Sequence, residues 1–205
     1  IIEDLDYRYL DAVTDGKDVS NNSSSYAMVS YFGKVNYAYD EKYLVSGTLR
    51  RDASSRFGNG NNSAIFPSVS AGWRISRENF METTSNWLSD LKLRASWGIN
   101  GNDMIDNSAT YSLYYVDMNT GSYNFSGDGK TLSPGVIKTM SGNNNLKWEQ
   151  TEQFNIGIDA AFLDNRLGVT MDYFKKKTKD MLIQKPYIAA IGEGGYKWYN
   201  AASMD

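Results

Sequence analysis

The residues able to do chemistry in this chain are few. Cys and His are both absent from its 205 residues. That excludes thiolate nucleophiles, disulfides, Cys/His zinc sites and a Ser-His-Asp triad in one step. Asn100, Asn102, Asp103 and Asp106 supply the oxygen ligands that calcium takes, but their spacing is not that of an EF-hand loop. An Asx-rich loop is the plainer reading. Gly127 to Thr131 ends like a phosphate-binding P-loop, yet Asn124 stands where the first glycine belongs. Asn22-Ser23-Ser24 fits a glycosylation sequon. No two carboxylates lie at a spacing that by itself suggests glycoside hydrolysis, although folding can bring distant ones together. The expectation is a chain with no catalytic residue, cofactor or metal site, and not an enzyme.

Two groups suit binding instead. Tyr111, Tyr114, Tyr115, Tyr123 and Phe125 crowd one polar stretch. Such rings stack on sugars and anchor protein interfaces, and they also pack loops from within. Lys175-Lys176-Lys177-Thr178-Lys179 is either a solvated strand end or a contact for lipopolysaccharide phosphates. A net charge of −3 gives no sign of a nucleic-acid partner.

Six segments alternate with period 2 and would position these groups on strands. They are Tyr26 to Tyr39, Lys42 to Asp52, Ile65 to Ser76, Leu91 to Asn100, Glu149 to Phe162 and Arg166 to about Lys176. One face of each is apolar, as in Val29, Tyr31, Val35 and Tyr37 or in Phe154, Ile156 and Ile158. The other carries Lys34, Asn36, Arg50, Arg74, Arg94 and Asp159 in mid-strand. Met28, Phe32, Leu44 and Phe66 break the pattern on the polar side.

The connections run long, short, long, medium, long, short, long. Asp40-Glu41 and Leu163 to Asn165 are tight turns. Residues 51–64, 101–148 and 178–205 are long polar loops, and 77–90 is a medium segment with room for one helical turn. An up-and-down outer-membrane barrel requires this alternation of periplasmic turns and extracellular loops. No run of about 18 apolar residues offers a transmembrane helix, but barrel strands hide their lipid face in alternation. Tyr37, Tyr39, Tyr43, Trp73 and Phe162 gather toward the short turns as a girdle does. A soluble carbohydrate-binding β-sandwich also alternates. Against it stand strands of 10 to 14 residues where about 5–6 is usual, and charges in mid-strand.

Several strings resemble the barrel of SusC/RagA-type TonB-dependent transporters. They are Arg50 to Gly58 (RRDASSRFG), Phe66 to Ser76 (FPSVSAGWRIS), Trp87 to Gly98 (WLSDLKLRASWG) and Leu146 to Asp159 (LKWEQTEQFNIGID). Leu163 to Leu167, with the DYFKKKTKDML that follows, and Asn200 to Met204 (NAASM) continue them in family order. Ala53 departs, where the family usually has Gly. The resemblance implies an all-β transmembrane antiparallel up-and-down β-barrel segment, about six strands of a larger, 22-stranded barrel. Residues 1–205 would then be part of the barrel domain, with the plug domain and TonB box outside this chain, and Asn200 to Met204 a loop before the next strand. It further implies a bacterial outer-membrane location, import of glycan oligomers or peptides, a SusD-like surface lipoprotein as cap, and energy through the TonB complex. A passive porin or structural barrel is the other membrane reading.

Overall fold

The computed structural model describes residues 24–58, 60–84, 86–117, 123–125, 127, 133, 135–186 and 195–205. Asn22 and Ser23 of the sequon and most of the P-loop-like string fall outside these. Among the described residues there are nine strands: β1 (Met28–Tyr39), β2 (Tyr43–Ser54), β3 (Ser63–Arg74), β4 (Leu88–Asn102), β5 (Leu113–Asp117), β6 (Gly135–Met140), β7 (Glu149–Phe162), β8 (Leu167–Pro186) and β9 (Tyr196–Met204). They form one sheet in the order β1-β2-β3-β4-β7-β8-β9-β6-β5. Neighbours are antiparallel except β6 and β9, which meet in parallel at Met140 and Tyr196.

The six expected strands are all present and join in a meander. Turns at the short end are tight for a stated reason. Asp40 and Glu41 both take left-handed φ (50° and 49°), the pair of positive values a twisted hairpin wants. The Lys42 N–H closes that turn on the Tyr39 carbonyl at 3.0 Å. Leu163, Asp164 and Asn165 do the same between β7 and β8.

Three regions differ from the sequence reading. β2 and β3 run further than expected, so the loop between them is 55–62 rather than 51–64. Residues 75 and 76 leave the strand for two short 3-10 turns, Ile75–Arg77 and Asn79–Thr84. β8 does not end near Lys176 but runs to Pro186, and Asn200 to Met204 lies inside β9 rather than in a loop. The reason is a bulge: the β8–β9 register shifts between Thr178 and Met181, and Asp180 has φ 55°. An extra residue flips the side-chain phase, so a period-2 count stops there. Asn200 holds the bulge, donating from Nδ2 to the Asp180 carbonyl at 2.8 Å.

The long stretch 101–148 is also not structureless. It contains β5, β6 and most of a buried knot made by Phe57, Phe66, Ile105, Ala109, Leu146 and Trp148. The Trp148 ring lies 5.4 Å from Phe57 and 5.5 Å from Phe66, and its N–H donates to the Asn62 carbonyl at 3.1 Å. Gly101 makes this possible: a Cβ there would fall 2.1 Å from Phe66 Cζ. So Phe66 breaks the polar face because it is the strand's contribution to a loop-end core. Each such ring contributes about 1.5–3 kcal/mol on full burial.

Candidate functional site: a polar wall of six strands

The strand register decides which polar side chains share a face. Asn36 pairs with Ser46, Ser46 with Ser70, Ser70 with Ser96, and Ser96 with Asn155. Five hydrogen-bonding side chains from five strands thus form one row, with Ser46 and Ser70 hydroxyls 2.7 Å apart. One rung toward the loops the row is Lys34, Thr48, Ser68, Gly98, Gln153, Lys176. One rung toward the turns it is Ala38, Leu44, Gly72, Arg94, Gly157, Asp172. Arg74 and Asp159 lie a further rung on, both paired with Lys92. Lys34, Asn36, Arg50, Arg74, Arg94 and Asp159 therefore stand on one continuous face. A concavity of about 460 Å³ lies over it, lined by Asn36, Ser46, Ser70, Lys92, Arg94 and Asn155 among others.

At the turn end this face is knit by charge. Arg94 Nε donates to Asp159 Oδ2 at 2.9 Å, and its Nη2 donates to Asp159 Oδ1 at 3.2 Å and to Asp172 Oδ2 at 3.0 Å. The Thr170 hydroxyl adds a bond to Asp159 Oδ1 at 3.2 Å. Gly157 lies in register between Arg94 and Asp172, and the guanidinium crosses the gap it leaves. A Cβ at 157 would meet Asp172 Oδ1 at 2.5 Å and Arg94 Cζ at 2.7 Å. Asp172, Thr170, Gly157 and the serine row were missed as site residues in the sequence. Only the register, not the spacing within one strand, reveals them.

Arg50 is committed elsewhere. Its Nε sits 2.8 Å from Oδ2 of Asp52, which is 1% exposed, and its guanidinium lies over the Phe66 ring at 5.8 Å. It joins the wall to the loop-end knot. The lysine run is not a strand end. Lys175, Lys177 and Lys179 oppose Phe154, Glu152 and Gln150 on the apolar side of β8, whereas Lys176 opposes Gln153 on the polar side. Lys177 pairs with Asp205 at 2.7 Å and Lys179 with Glu152 at 3.4 Å.

The loop acids act as acceptors. Asp103 Oδ2 receives the Tyr26 hydroxyl at 2.9 Å and the Ser54 hydroxyl at 2.7 Å. Burial, with Asp103 beside it, pushes the Tyr26 hydroxyl above its usual range. Asp106 Oδ2 receives the Trp198 N–H at 3.0 Å and the Tyr196 hydroxyl at 3.3 Å. These bonds tie residues 103–106 to the segment just before β1, to β2 and to β9. The loop aromatics do not pack the loop. Tyr111, Tyr114, Tyr115, Tyr123 and Phe125 are 60–81% exposed, and Ile105, Ala109, Met140, Leu146 and Trp148 do the packing.

The opposite face is apolar and uncovered. Val35, Val45, Leu49, Val69, Ile156, Ile158, Val169 and Met171 are all exposed. Among the described residues no second sheet lies against it. A soluble sandwich buries such a face against its partner sheet. Water-soluble monomers rarely leave a contiguous apolar face uncovered.

Known proteins match this architecture. The family described as TonB dependent receptor-like, beta-barrel, matches residues 2–205. TonB-dependent receptor P3 of Formosa agariphila is 38% identical over 190 residues, covering 91% of this chain and 18% of its own length. TonB-dependent receptor SusC of Bacteroides thetaiotaomicron is 42% identical over 156 residues, 76% of this chain and 15% of its own. The structure of the RagAB peptide transporter superimposes with a TM-score of 0.74 at 35% identity, covering 87% of this chain and 18% of that one. The siderophore receptor PirA from Pseudomonas aeruginosa, at 16% identity and a TM-score of 0.54, shares the fold alone. The chain spans less than a fifth of the length of the SusC, P3 and RagAB relatives it matches. A sheet with one bare apolar face and one hydrogen-bonding face, matched along its whole length, belongs to the TonB-dependent receptor β-barrel family, on its SusC/RagA side.

Proposed function

We propose that this segment is wall in an outer-membrane importer of the TonB-dependent kind, one that passes glycan oligomers or peptides and uses no chemistry of its own. The observation that carries the reading is the pairing of an uncovered apolar face with a register-matched polar face across β1–β4, β7 and β8. In a barrel the first meets lipid and the second a wet lumen.

In this reading Lys34, Asn36, Arg74, Arg94 and Asp159 touch passing substrate or the plug domain. The exposed aromatics around β5 and β6 meet a SusD-like lipoprotein or the substrate from outside. Energy reaches the protein through the TonB complex, by parts of the protein beyond this wall. Lys175 and Lys179 face the lipopolysaccharide leaflet. The reading borrows the cap and the substrate class from SusC and from the RagAB peptide transporter, to which the chain is similar.

Sidedness tests it directly. Cysteine placed at Tyr114 in the full-length protein should react with an impermeant maleimide on intact cells. Cysteine at Asp164 should react only after permeabilisation. The reverse pattern refutes the orientation, and equal reaction at both in intact cells refutes a membrane-spanning wall.

A further inference from the structure

The connection between β3 and β4 is held against the sheet by one carboxylate. Glu78 lies between the two 3-10 turns. It accepts the Tyr43 hydroxyl at 2.7 Å and the Trp73 indole N–H at 3.0 Å, with Lys42 Nζ 3.8 Å away. Those two bonds, the Tyr43 one foremost, hold the Glu78 carboxyl below its ordinary range. Tyr43 and Trp73 are register partners on the apolar face. Their rings stack at 6.4 Å, and Tyr39 continues the stack at 6.4 Å. Arg77 pairs with Glu41 of the β1–β2 turn, and the Ser76 hydroxyl donates to Asp90 at 2.6 Å. The connection is therefore folded toward the apolar face at the turn-end rim.

So held, it leaves two large rings bare. Phe80 is 66% exposed and Trp87 is 53% exposed, the latter stacked on Phe162 at 6.0 Å. Trp87 continues, through Phe162, the aromatic band of Tyr39, Tyr43 and Trp73 at the turn end. The paired charges of this rim, Asp40, Glu41, Lys42 and Arg77, carry both signs, as suits a zwitterionic headgroup layer. Rings with one apolar face and a polar neighbourhood partition to that depth of a bilayer.

We propose that the β3–β4 connection is an interfacial membrane anchor, seated by Glu78 on the girdle, with Phe80 reaching the acyl boundary and Trp87 at headgroup depth. Its ligand is a phospholipid surface. The inference rests on the reading that the apolar face meets lipid, and the test separates the two.

The full-length protein, with any cysteines outside this segment replaced, is put into phosphatidylcholine vesicles. It carries a nitroxide at Val45→Cys, Asp164→Cys or Phe80→Cys, and folding is checked by heat-modifiable migration. Oxygen, which concentrates in the bilayer, should relax the label at 45 and 80 more than a water-soluble nickel chelate does. The order should reverse at 164. Adding Glu78→Ala should abolish the oxygen preference at 80 and leave it at 45. A lipid-like label at 45 with a water-like label at 80 overturns the anchor alone. Water-like labels at both overturn the membrane reading itself. An unchanged label at 80 in Glu78→Ala overturns the role of the carboxylate. Trp87→Cys, expected at headgroup depth with intermediate access to both reagents, supplies the reading should Phe80→Cys not fold; a fully water-like label there overturns the anchor.

Discussion

Ile156 and Asn155 are adjacent residues of β7 with opposite expected tolerance for charge. Ile156 lies in register between Ala95 and Tyr173 on the apolar face. β7 runs from Glu149 to Phe162, so at about 3.4 Å per residue Ile156 is roughly 20–24 Å along the strand from either end. That is mid-strand, close to the bilayer midplane for a tilted strand. Ile156→Arg should therefore cost about 2–4 kcal/mol of folded barrel, a factor of roughly 30 to 900 in the folding equilibrium. Asn155 lies between Ser96 and Phe174 on the polar face. Its Arg replacement projects into water and should cost well under about 1 kcal/mol, as exposed substitutions do. The assay is urea refolding of the full-length protein into vesicles, read by heat-modifiable migration. Val45→Arg and Thr48→Arg form a second pair on β2 with the same direction and a smaller difference, because Val45 lies only two residues from Tyr43 at the girdle. Equal losses within each pair would refute the assignment of faces, and so would a larger loss on the polar side.

Gly157→Val should push Arg94 from Asp159 and Asp172. Because all three side chains are a third to a half exposed, solvent screens both pairs and the loss should be small. The loss should shrink when Arg94→Ala is already present, and additive losses in a denaturant titration would show the clash to lie elsewhere. Trp148→Ala empties the loop-end knot at a cost of about 3–5 kcal/mol. It should speed protease cutting in 101–148 while the strands stay resistant, and an unchanged cutting rate would deny the knot its role. Deleting Tyr111 to Thr139 in the full-length protein should leave the barrel folded and weaken lipoprotein association or substrate uptake. Wild-type levels of both would reduce this loop to surface cover. Glu78 gives a pH signature at the rim. Its carboxyl is depressed in the folded state, so its stabilisation is complete above the ordinary value of 4.5 and is lost as pH falls below that. A nitroxide at Phe80→Cys should become more mobile as pH falls below 4.5 in wild type and not in Glu78→Gln, which does not titrate. Identical behaviour of the two would rule out this carboxylate.

The strands were legible because burial on one side writes itself as alternation. Val29 to Tyr37 and Phe154 to Ile158 could be read without a structure. Alternation also assigned Lys34, Asn36, Arg74, Arg94 and Asp159 to one face of their strands. What it could not give is height: that Arg94 stands level with Gly157 and Asp172 depends on hydrogen-bond register between strands far apart in sequence. The half of β8 beyond Thr178 was illegible because the bulge at Asp180 flips the phase. β5 and β6 were illegible because five or six residues give too short a period. Phe66 was visible only as an exception to the polar face, and its cause lay in Trp148, far along the chain. The rings at 111–125 suited either packing or contact in the sequence, and the structure leaves them exposed because Ile105, Ala109, Met140, Leu146 and Trp148 fill the loop core.

The loop-end knot also bears on how such a wall can change over generations. Phe57, Phe66, Ile105, Ala109, Leu146 and Trp148 close a seal between the strands and whatever the loop carries further out. Insertions or replacements beyond Tyr111 meet that seal before they reach the pairing of β1–β4, β7 and β8. Selection can therefore act on the outer surface and on the wall as two nearly independent traits. What the outer surface meets can then be redrawn while the paired wall is inherited unaltered.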